Sequence, residues 1–298
     1  MQTERGVLDL SAVPGPFDLQ STVESGQSYR WDRADGGMYE ETGAYGGDDW
    51  YETVVRVDGE PAVVRVRQVD DRLEWESSVD AAPLVRERLR LDDDLPAIRA
   101  SVPDDDVIER AFDAYWGMRL VDDPAFSTLI SFICSAQMRV LRIHRMQREL
   151  ERAFGSTVEF EGRTYHAFPT PEQLADATEA ELRDLGLGYR APYVLETARM
   201  VADGDAHPEE AVGLDYEDAR ESLTRFVGVG DKVADCVSLF ALDYLEAVPL
   251  DTWIRTTIEE YYPDCDRGNY RDTSRAIREA FGGEYAGYTQ TYVFHYLR

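Results

Sequence analysis

Apolar and polar positions alternate through much of the first 80 residues of the chain. Residues 53–57 and 62–69 alternate on either side of Asp58-Gly59, a pair typical of the tight turn of a β-hairpin. Glycines and aromatic residues between positions 26 and 50 fit further short strands, among them Gly43, Tyr45, Gly46 and Gly47. The pattern predicts a small antiparallel β-sheet in the N-terminal region.

A helical repeat replaces the alternation from about Pro83 onward. Ile108, Ala111 and Phe112 fall on one face, and Thr170-Pro171 has the order of a helix start. Almost everything that follows looks helical. Because 298 residues exceed what one compact core usually holds, we expect an α+β fold of two domains. A β domain with a flanking helix is predicted in residues 1–115, and an all-α domain in residues 116–298.

The net charge bears on whether the partner can be a nucleic acid. Acidic residues outnumber basic ones 59 to 31, which gives a formal charge of -28, and phosphate repels such a surface. The acids are spread in short clusters, which suggests an evenly acidic coat like that of proteins adapted to a salt-loaded cytosol. Because the screening length falls to about 3 Å at 1 M salt, local patches would decide binding there.

The composition also bears on where the protein works. No apolar stretch approaches the roughly 20 residues that a membrane span needs, and the N-terminus lacks the apolar core of a signal peptide. We therefore expect a monomeric cytoplasmic protein in a high-salt interior, without a membrane partner.

The cysteines and histidines do not form a pattern that binds metal. Cys134, Cys236 and Cys265 contain no Cys-x-x-Cys pair, which argues against a disulfide framework, a zinc ribbon and an iron–sulfur loop. The four histidines have no metal-ligand spacing either. We expect no metal, no iron–sulfur cluster and no other cofactor.

One segment is basic against the trend of the whole chain. Five arginines and two glutamates lie between residues 129 and 152, a local charge of +3. Their spacing puts the arginines on one flank of a helix, with Val140, Ile143, Gln147 and Leu150 on another. Two interpretations stay open, a solvated helix face and a surface that meets phosphate. The five arginines are Arg139, Arg142, Arg145, Arg148 and Arg152.

Lys232 is the single lysine among the 31 basic residues. It follows a Val-Gly-Val-Gly turn between two predicted helices, a capped one at residues 215–226 and a second at residues 231–242. Backbone N–H groups at the start of the second helix suit phosphate. The positive end of that helix also favours an uncharged amine, which can act as a nucleophile as arginine cannot. Chance placement of the lysine is the alternative.

Asp251 follows Pro249 at the start of the next predicted helix. One interpretation is an ordinary N-cap aspartate. The other brings its carboxylate near Lys232 as an electrostatic and acid–base partner, which would favour the charged ammonium and oppose the effect of the helix. The sequence leaves this balance open.

These segments together resemble a known family. Gly-Val-Gly-Asp-Lys-Val-Ala-Asp-Cys (228–236) and Ala-Val-Pro-Leu-Asp (247–251) are similar to the signature of the helix-hairpin-helix DNA glycosylases, which have a Gly/Pro-rich loop and an aspartate. The 8-oxoguanine DNA glycosylase/lyase branch is the most similar. Further blocks follow in the family's order at residues 25–31, 131–135, 165–169, 185–190 and 285–290.

The resemblance implies a two-lobed helical domain with the active cleft between its lobes. Lys232 corresponds to the nucleophile that attacks C1′ of the sugar and forms a Schiff base. Asp251 corresponds to the aspartate that stabilises charge developing on the sugar. The family's base pocket, in which a glycine carbonyl reads the N7 proton of the oxidised guanine, corresponds to Gly26, Cys236, Gln290 and Phe294.

The resemblance also implies a DNA-binding surface. Arg142 and Arg190 correspond to arginines that contact the orphaned cytosine, and Tyr189 to a tyrosine that wedges against the base stack. Gly228 and Gly230 form the hairpin that grips the backbone, and its carbonyls suggest a site for a monovalent cation. Gln137 lies in a break of the arginine-lined helical region, where a side chain could fill the vacated stack.

Two positions depart from the family pattern. Gln137-Met138-Arg139 replaces a run of asparagines, and Ser135-Ala136-Gln137 resembles the plug of the related endonuclease branch. Trp253 stands where the family has a histidine two residues after the aspartate. The opposite-base preference therefore stays open.

We expect a bifunctional glycosylase/lyase that excises 8-oxoguanine from double-stranded DNA at the nucleoid. An alkylated-base glycosylase on the same scaffold is the first alternative, and a non-catalytic helix-hairpin-helix DNA-binding protein is the second. An acidic protein unrelated to DNA is the third.

Overall fold

The structure is a computed structural model that describes residues 3–40 and 49–297. Gly43, Tyr45, Gly46 and Gly47, which the sequence assigns to short strands and turns, lie outside the described residues.

A five-stranded antiparallel sheet forms the N-terminal region, in the order β1-β5-β4-β3-β2. Asp58 and Gly59 join β3 to β4 with φ of 51° and 85°, the left-handed pair of a tight hairpin turn. The predicted sheet and its central turn are confirmed. The strands are β1 Glu4–Asp9, β2 Asp32–Arg33, β3 Tyr51–Val57, β4 Glu60–Val69 and β5 Arg72–Ser77.

Helices make up most of the remaining described chain, which confirms the α+β class. The N-terminal region is not purely β, because Asp18 caps a short helix there through the Ser21 amide. The helices are α1 Leu19–Glu24, α2 Ala82–Arg88, α3 Leu95–Ser101, α4 Asp106–Ala114, α5 Ala125–Ser135, α6 Val140–Phe154, α7 Pro171–Ala175, α8 Glu179–Asp184, α9 Ala191–Ala202, α10 Tyr216–Leu223, α11 Asp231–Ala241, α12 Thr252–Tyr261, α13 Tyr270–Ala280 and α14 Ala286–Leu297.

Two hydrophobic cores support these parts. One joins the sheet to α1 and α2, and the other runs through the helices from α3 to α14. Helix α5 is buried on nearly all sides, and α11 is buried from Val233 to Phe240. These two helices therefore form a rigid centre for whatever they carry. The division of the chain at residue 115 stays a prediction.

A second, two-stranded sheet interrupts the helical region, so the expectation of helices throughout is wrong there. Its strands are β6 Thr157–Phe160 and β7 Arg163–His166. Val158 and Phe160 pack against Val63 of the large sheet, and Arg163 bonds to Glu52 of β3 at 2.8 Å. The small hairpin therefore ties the sheet to the helical region.

The arginine segment is split by the fold. Helix α6 begins after Arg139, and Arg142 and Arg145 are exposed. Arg148 instead turns inward, so the prediction that it shares the exposed flank is wrong. Its guanidinium bonds to the Asp32 carboxylate at 2.9 Å and to the Tyr29 carbonyl at 2.8 Å. The apolar flank is confirmed by the burial of Ile143, Gln147 and Leu150.

Glu151 completes the buried charge network at this junction. It accepts from Arg148 at 2.8 Å and from Arg30, and its side chain is 4% exposed. Two guanidinium groups, that of buried Arg30 and that of half-buried Arg148, therefore share one carboxylate.

No helix among the described residues is long and apolar enough to cross a bilayer.

Replacing Glu151 with alanine should leave Arg30 without its carboxylate partner. We expect the free energy of unfolding to fall by about 3–5 kcal/mol, because an unpaired buried charge is costly. Glu149→Ala on the same helix is the control, since Glu149 pairs only with exposed Arg152 among the ion pairs found, and should cost less than about 1 kcal/mol. Urea denaturation of both variants measures this, and equal losses would contradict it.

Candidate active site

A helix-hairpin-helix forms as predicted from α10 and α11. Gly228 has a φ of +83°, and a Cβ there would meet the Tyr193 ring at 2.8 Å. Gly230 is the extended N-cap of α11 and has no side chain that could cap the helix, so no capping side chain covers the first amides of α11. Asp215 precedes α10, but its side chain does not cap that helix, contrary to prediction.

Lys232 lies in the first turn of α11, as predicted. Its Nζ donates to Ser135 Oγ at 2.9 Å and lies 5.3 Å from the centre of the Phe132 ring. Ser135 is the last residue of α5, and its hydroxyl in turn donates to the Phe132 carbonyl at 2.7 Å. The amine is therefore held between two buried helices rather than pointing into bulk solvent.

Asp251 is the N-cap of α12, as predicted. Its side chain accepts from the Ile254 amide at 2.8 Å, which fixes one carboxylate oxygen. It lines the same cavity as Lys232. The capping interpretation is confirmed, and Asp251 belongs to the cavity lining as well.

Cys236 lies one turn after Lys232 and is 3% exposed. Burial raises the pKa of its thiol to about 12. The nearby Lys232 charge opposes this rise in pKa, and the Asp251 charge adds to it. At neutral pH the thiol therefore keeps its proton and acts as a small apolar wall.

The cavity has a volume of about 520 Å³, within the range of about 300–1,000 Å³ typical of small-molecule sites. It brings together every residue of the predicted base pocket. Gly26 follows α1 with a φ of +93°, Cys236 comes from α11, and Gln290 and Phe294 come from α14. A site for one compact ligand is thus built from the N-terminal region and from two helices of the helical region, α11 and α14.

Several lining residues were not predicted as site residues. Phe132 and Phe240 stack with their ring centres 5.7 Å apart, and both rings line the cavity. The Phe132 ring is the one near the Lys232 amine. Ser135 holds that amine. Trp253 is 50% exposed and also lines the cavity. Phe132 and Ser135 are three residues apart at the end of a helix and therefore share one of its faces. This spacing is the sequence signal that could have identified them as site residues.

The predicted DNA contacts form a second group beside the cavity. Gln137 is exposed in the break between α5 and α6, with a φ of +55°. Arg190 is buried, donates to the Ala136 carbonyl in that break, and stacks 4.3 Å from the ring centre of Tyr189. The Tyr189 side chain is 52% exposed. Arg190 therefore contacts both the break between α5 and α6 and the exposed Tyr189 ring from the protein interior.

Two further contacts join this group to its neighbours. The Arg142 guanidinium lies against Gly186, where a Cβ would come within 2.4 Å of it. Tyr193, which underlies Gly228, lies 6.3 Å from Tyr189 between ring centres. The break, the Tyr189 turn and the hairpin are thus linked through side-chain contacts.

The described residues contain no group of three or more His, Cys, Asp or Glu side chains that could hold a metal ion. Cys134, Cys236 and Cys265 are free thiols. At the hairpin, the Val227 carbonyl accepts a bond from Thr197 at 3.2 Å. The monovalent cation suggested for the hairpin stays a prediction.

The two hairpin glycines should respond differently to an added methyl group. Gly228→Ala forces a left-handed φ and a clash with Tyr193, so we expect a loss of about 1–3 kcal/mol in the free energy of unfolding. Gly230→Ala is the control, since its backbone is extended and open space surrounds it. Urea denaturation compares them, and a loss at position 230 as large as that at 228 would refute the argument.

Comparison with known proteins agrees with this geometry. The sequence profile of the HhH-GPD superfamily base excision DNA repair proteins matches residues 130–282, and that of the 8-oxoguanine DNA glycosylase N-terminal domain matches residues 9–129. The probable N-glycosylase/DNA lyase of Methanothermobacter thermautotrophicus is 33% identical, across 95% of this chain and 94% of its own.

Two further proteins are similar over most of the chain. The N-glycosylase/DNA lyase of Saccharomyces cerevisiae is 34% identical, across 85% of this chain and 71% of its own. The Clostridium acetobutylicum 8-oxoguanine glycosylase/lyase, solved with double-stranded DNA containing cytosine opposite 8-oxoG, has a TM-score of 0.81 and 26% identity over 95% of this chain and 92% of its own. The chain therefore belongs to the HhH-GPD superfamily of base excision DNA repair proteins, and within it to the 8-oxoguanine DNA glycosylase family.

Proposed function

We propose that the protein excises 8-oxoguanine from double-stranded DNA and then cleaves the strand, with Lys232 as the nucleophile and Asp251 as its electrostatic partner. The observation that carries this proposal is the placement of the single lysine. Its amine is held by Ser135 at 2.9 Å in the cavity that Asp251 also lines. An amine and a carboxylate at one enclosed site suit attack on a sugar carbon that develops positive charge.

The lining of the cavity supports an oxidised purine as the base. The Gly26 carbonyl would accept the proton that 8-oxoguanine, unlike guanine, carries on N7. Phe294 offers a face for stacking, the neutral Cys236 thiol packs on the opposite side, and Gln290 supplies hydrogen bonds to the base edge. A duplex base can reach this cavity only when its nucleotide is rotated out of the helix.

The reaction proceeds in two stages. Once the Lys232 ammonium has given up its proton, its amine forms a bond to C1′ while the C1′–N9 bond breaks, and the base leaves with that electron pair and takes up a proton. Asp251 stabilises the positive charge on the sugar during this step. Opening of the sugar ring converts the adduct into a Schiff base, and loss of a C2′ proton then expels the 3′ phosphate.

An acidic protein needs local means of holding DNA. The amides at the start of α11 bind phosphate without side-chain charge, and Arg139, Arg142 and Arg145 are exposed on the neighbouring segment. Gln137 protrudes from the break where an extruded nucleotide leaves a gap. The charge of -28 fits work in a high-salt cytoplasm, where repulsion is screened within about 3 Å at 1 M salt.

Borohydride should trap the Schiff base as a covalent protein–DNA adduct. We expect an adduct on a duplex with 8-oxoguanine opposite cytosine, and none with Lys232→Gln, which lacks the amine. Asp251→Asn is the matched control, since it should slow base release by about 10²–10³-fold but still trap on a ready-made abasic site. The assay is run at low and high KCl and read on a denaturing gel.

Two results would overturn this assignment. An equal adduct yield from Lys232→Gln and the native chain would exclude Lys232 as the nucleophile. Release of 3-methyladenine, without release of 8-oxoguanine, would favour the alkylated-base glycosylase instead.

Arg142→Ala and Gln137→Ala should weaken excision in different ways. We propose that Arg142 contacts the orphaned base, so its loss should reduce discrimination among the four opposite bases. We propose that Gln137 fills the vacated stack, so its loss should slow excision opposite all four. Single-turnover rates opposite each base measure this, and identical profiles for the two variants would show the division of roles to be wrong.

A further inference from the structure

A buried carboxylate lies beside the proposed catalytic residues and has no part in the reaction described above. Asp235 is on α11, three residues after Lys232, and its side chain is 0% exposed. One of its oxygens accepts from the Tyr216 hydroxyl at 2.6 Å and the other from the Tyr270 hydroxyl at 2.7 Å. The buried Arg220 guanidinium lies 3.6 Å away and supplies the opposite charge.

The Tyr270 hydroxyl also accepts a bond from the Leu250 amide at 3.0 Å. Because a backbone N–H can only donate, the hydroxyl oxygen must be the acceptor of this bond, and its own hydrogen is left for Asp235. Burial and the Asp235 charge raise the pKa of Tyr270 well above its ordinary value, so the hydroxyl keeps that hydrogen. The direction of both bonds is thereby fixed.

These two bonds connect the two proposed catalytic residues. Asp235 belongs to the helix that carries Lys232, and Leu250 immediately precedes Asp251. The Asp251 amide is itself turned back onto the Pro249 carbonyl at 3.0 Å, so the backbone here is a tight loop rather than a helix. Tyr270 is the first residue of α13, an element that contributes nothing to the cavity lining.

We propose that Tyr270 is a positioning residue for base excision, which holds the loop bearing Asp251 at a fixed place relative to Lys232 through its bonds to Leu250 and Asp235. This inference rests on the proposed roles of Lys232 and Asp251. Displacement of a catalytic group by about 1 Å can lower the reaction rate by about 10²-fold. Loss of this one hydroxyl should therefore reduce the rate of base excision.

Tyr216 provides a matched control within the same cluster. Its hydroxyl donates to the same carboxylate at 2.6 Å, and its side chain is buried where that of Tyr270 is half-buried. No hydrogen bond leads from it to the Asp251 loop. Tyr216→Phe and Tyr270→Phe therefore remove one donor each from Asp235, and only Tyr270→Phe also releases Leu250.

The test measures two steps separately in the full-length chain. Single-turnover release of 8-oxoguanine requires both Lys232 and Asp251, whereas borohydride trapping on a ready-made abasic site requires the amine alone. We expect Tyr270→Phe to slow base release by about 10- to 100-fold and to trap on abasic DNA at nearly the native rate. Tyr216→Phe should release the base much faster than Tyr270→Phe, with a similar loss of thermal stability.

A double variant distinguishes action through Asp251 from a general loss of structure. In an Asp251→Asn background, Tyr270→Phe should cause little further loss of base release, because its effect depends on that carboxylate. An additive loss, or equal base release by the two tyrosine variants, would overturn the inference while leaving the proposed function intact. A native chain that neither releases 8-oxoguanine nor forms an adduct would overturn the proposed function, and this inference with it.

Discussion

The hydrogen bond from Lys232 Nζ to Ser135 Oγ joins the start of α11 to the end of α5. Both helices are buried, so neither end can shift without disturbing the core. The amine is therefore placed by packing rather than by surface contacts, and the Phe132 ring beneath it limits its freedom further. The cavity, Asp251 and the groups proposed to recognise the base are arranged around this fixed point.

The protein has a strongly acidic chain, yet its site has to accept a polyanion. Its arginines fall into two groups, one paired with carboxylates inside the fold and one exposed on the surface. Some guanidinium groups are turned into the fold and paired with carboxylates. Glu151 pairs with Arg30 and Arg148. Asp235 and Glu217 pair with Arg220. Others remain on the surface beside the break between α5 and α6. Backbone amides at the hairpin add attraction that needs no further charge. Local geometry, rather than net charge, is what makes DNA binding compatible with this composition.

The features that the sequence predicted well are local ones. The tight turn at Asp58-Gly59, the hairpin before Lys232 and the cap at Asp251 each depend on a few adjacent residues, whose conformational preferences act without the rest of the fold. The family resemblance supplied the base pocket, whose members come from distant segments. Without it, nothing in the spacing of Gly26 and Gln290 places them in one cavity.

What could not be predicted depends on contacts between distant parts of the chain. Ser135 accepts a bond from Lys232, which lies 97 positions later in the sequence. Arg148 turns inward because it bonds to Asp32, which lies 116 positions earlier. The strands β6 and β7 have only four residues each and are stabilised by packing on Val63, so their own pattern is too short to be distinctive.

The position of Gly26 has a consequence for how such an enzyme can change. The wall that would distinguish an oxidised purine belongs to the N-terminal region, whereas the amine and the carboxylate belong to the helical one. The proposed contact that separates 8-oxoguanine from guanine, the Gly26 carbonyl, is thus encoded in a different stretch of sequence from the proposed catalytic pair, and the two meet only in the folded molecule. A mutation near Gly26 can therefore alter this contact while Lys232 and Asp251 are inherited unchanged.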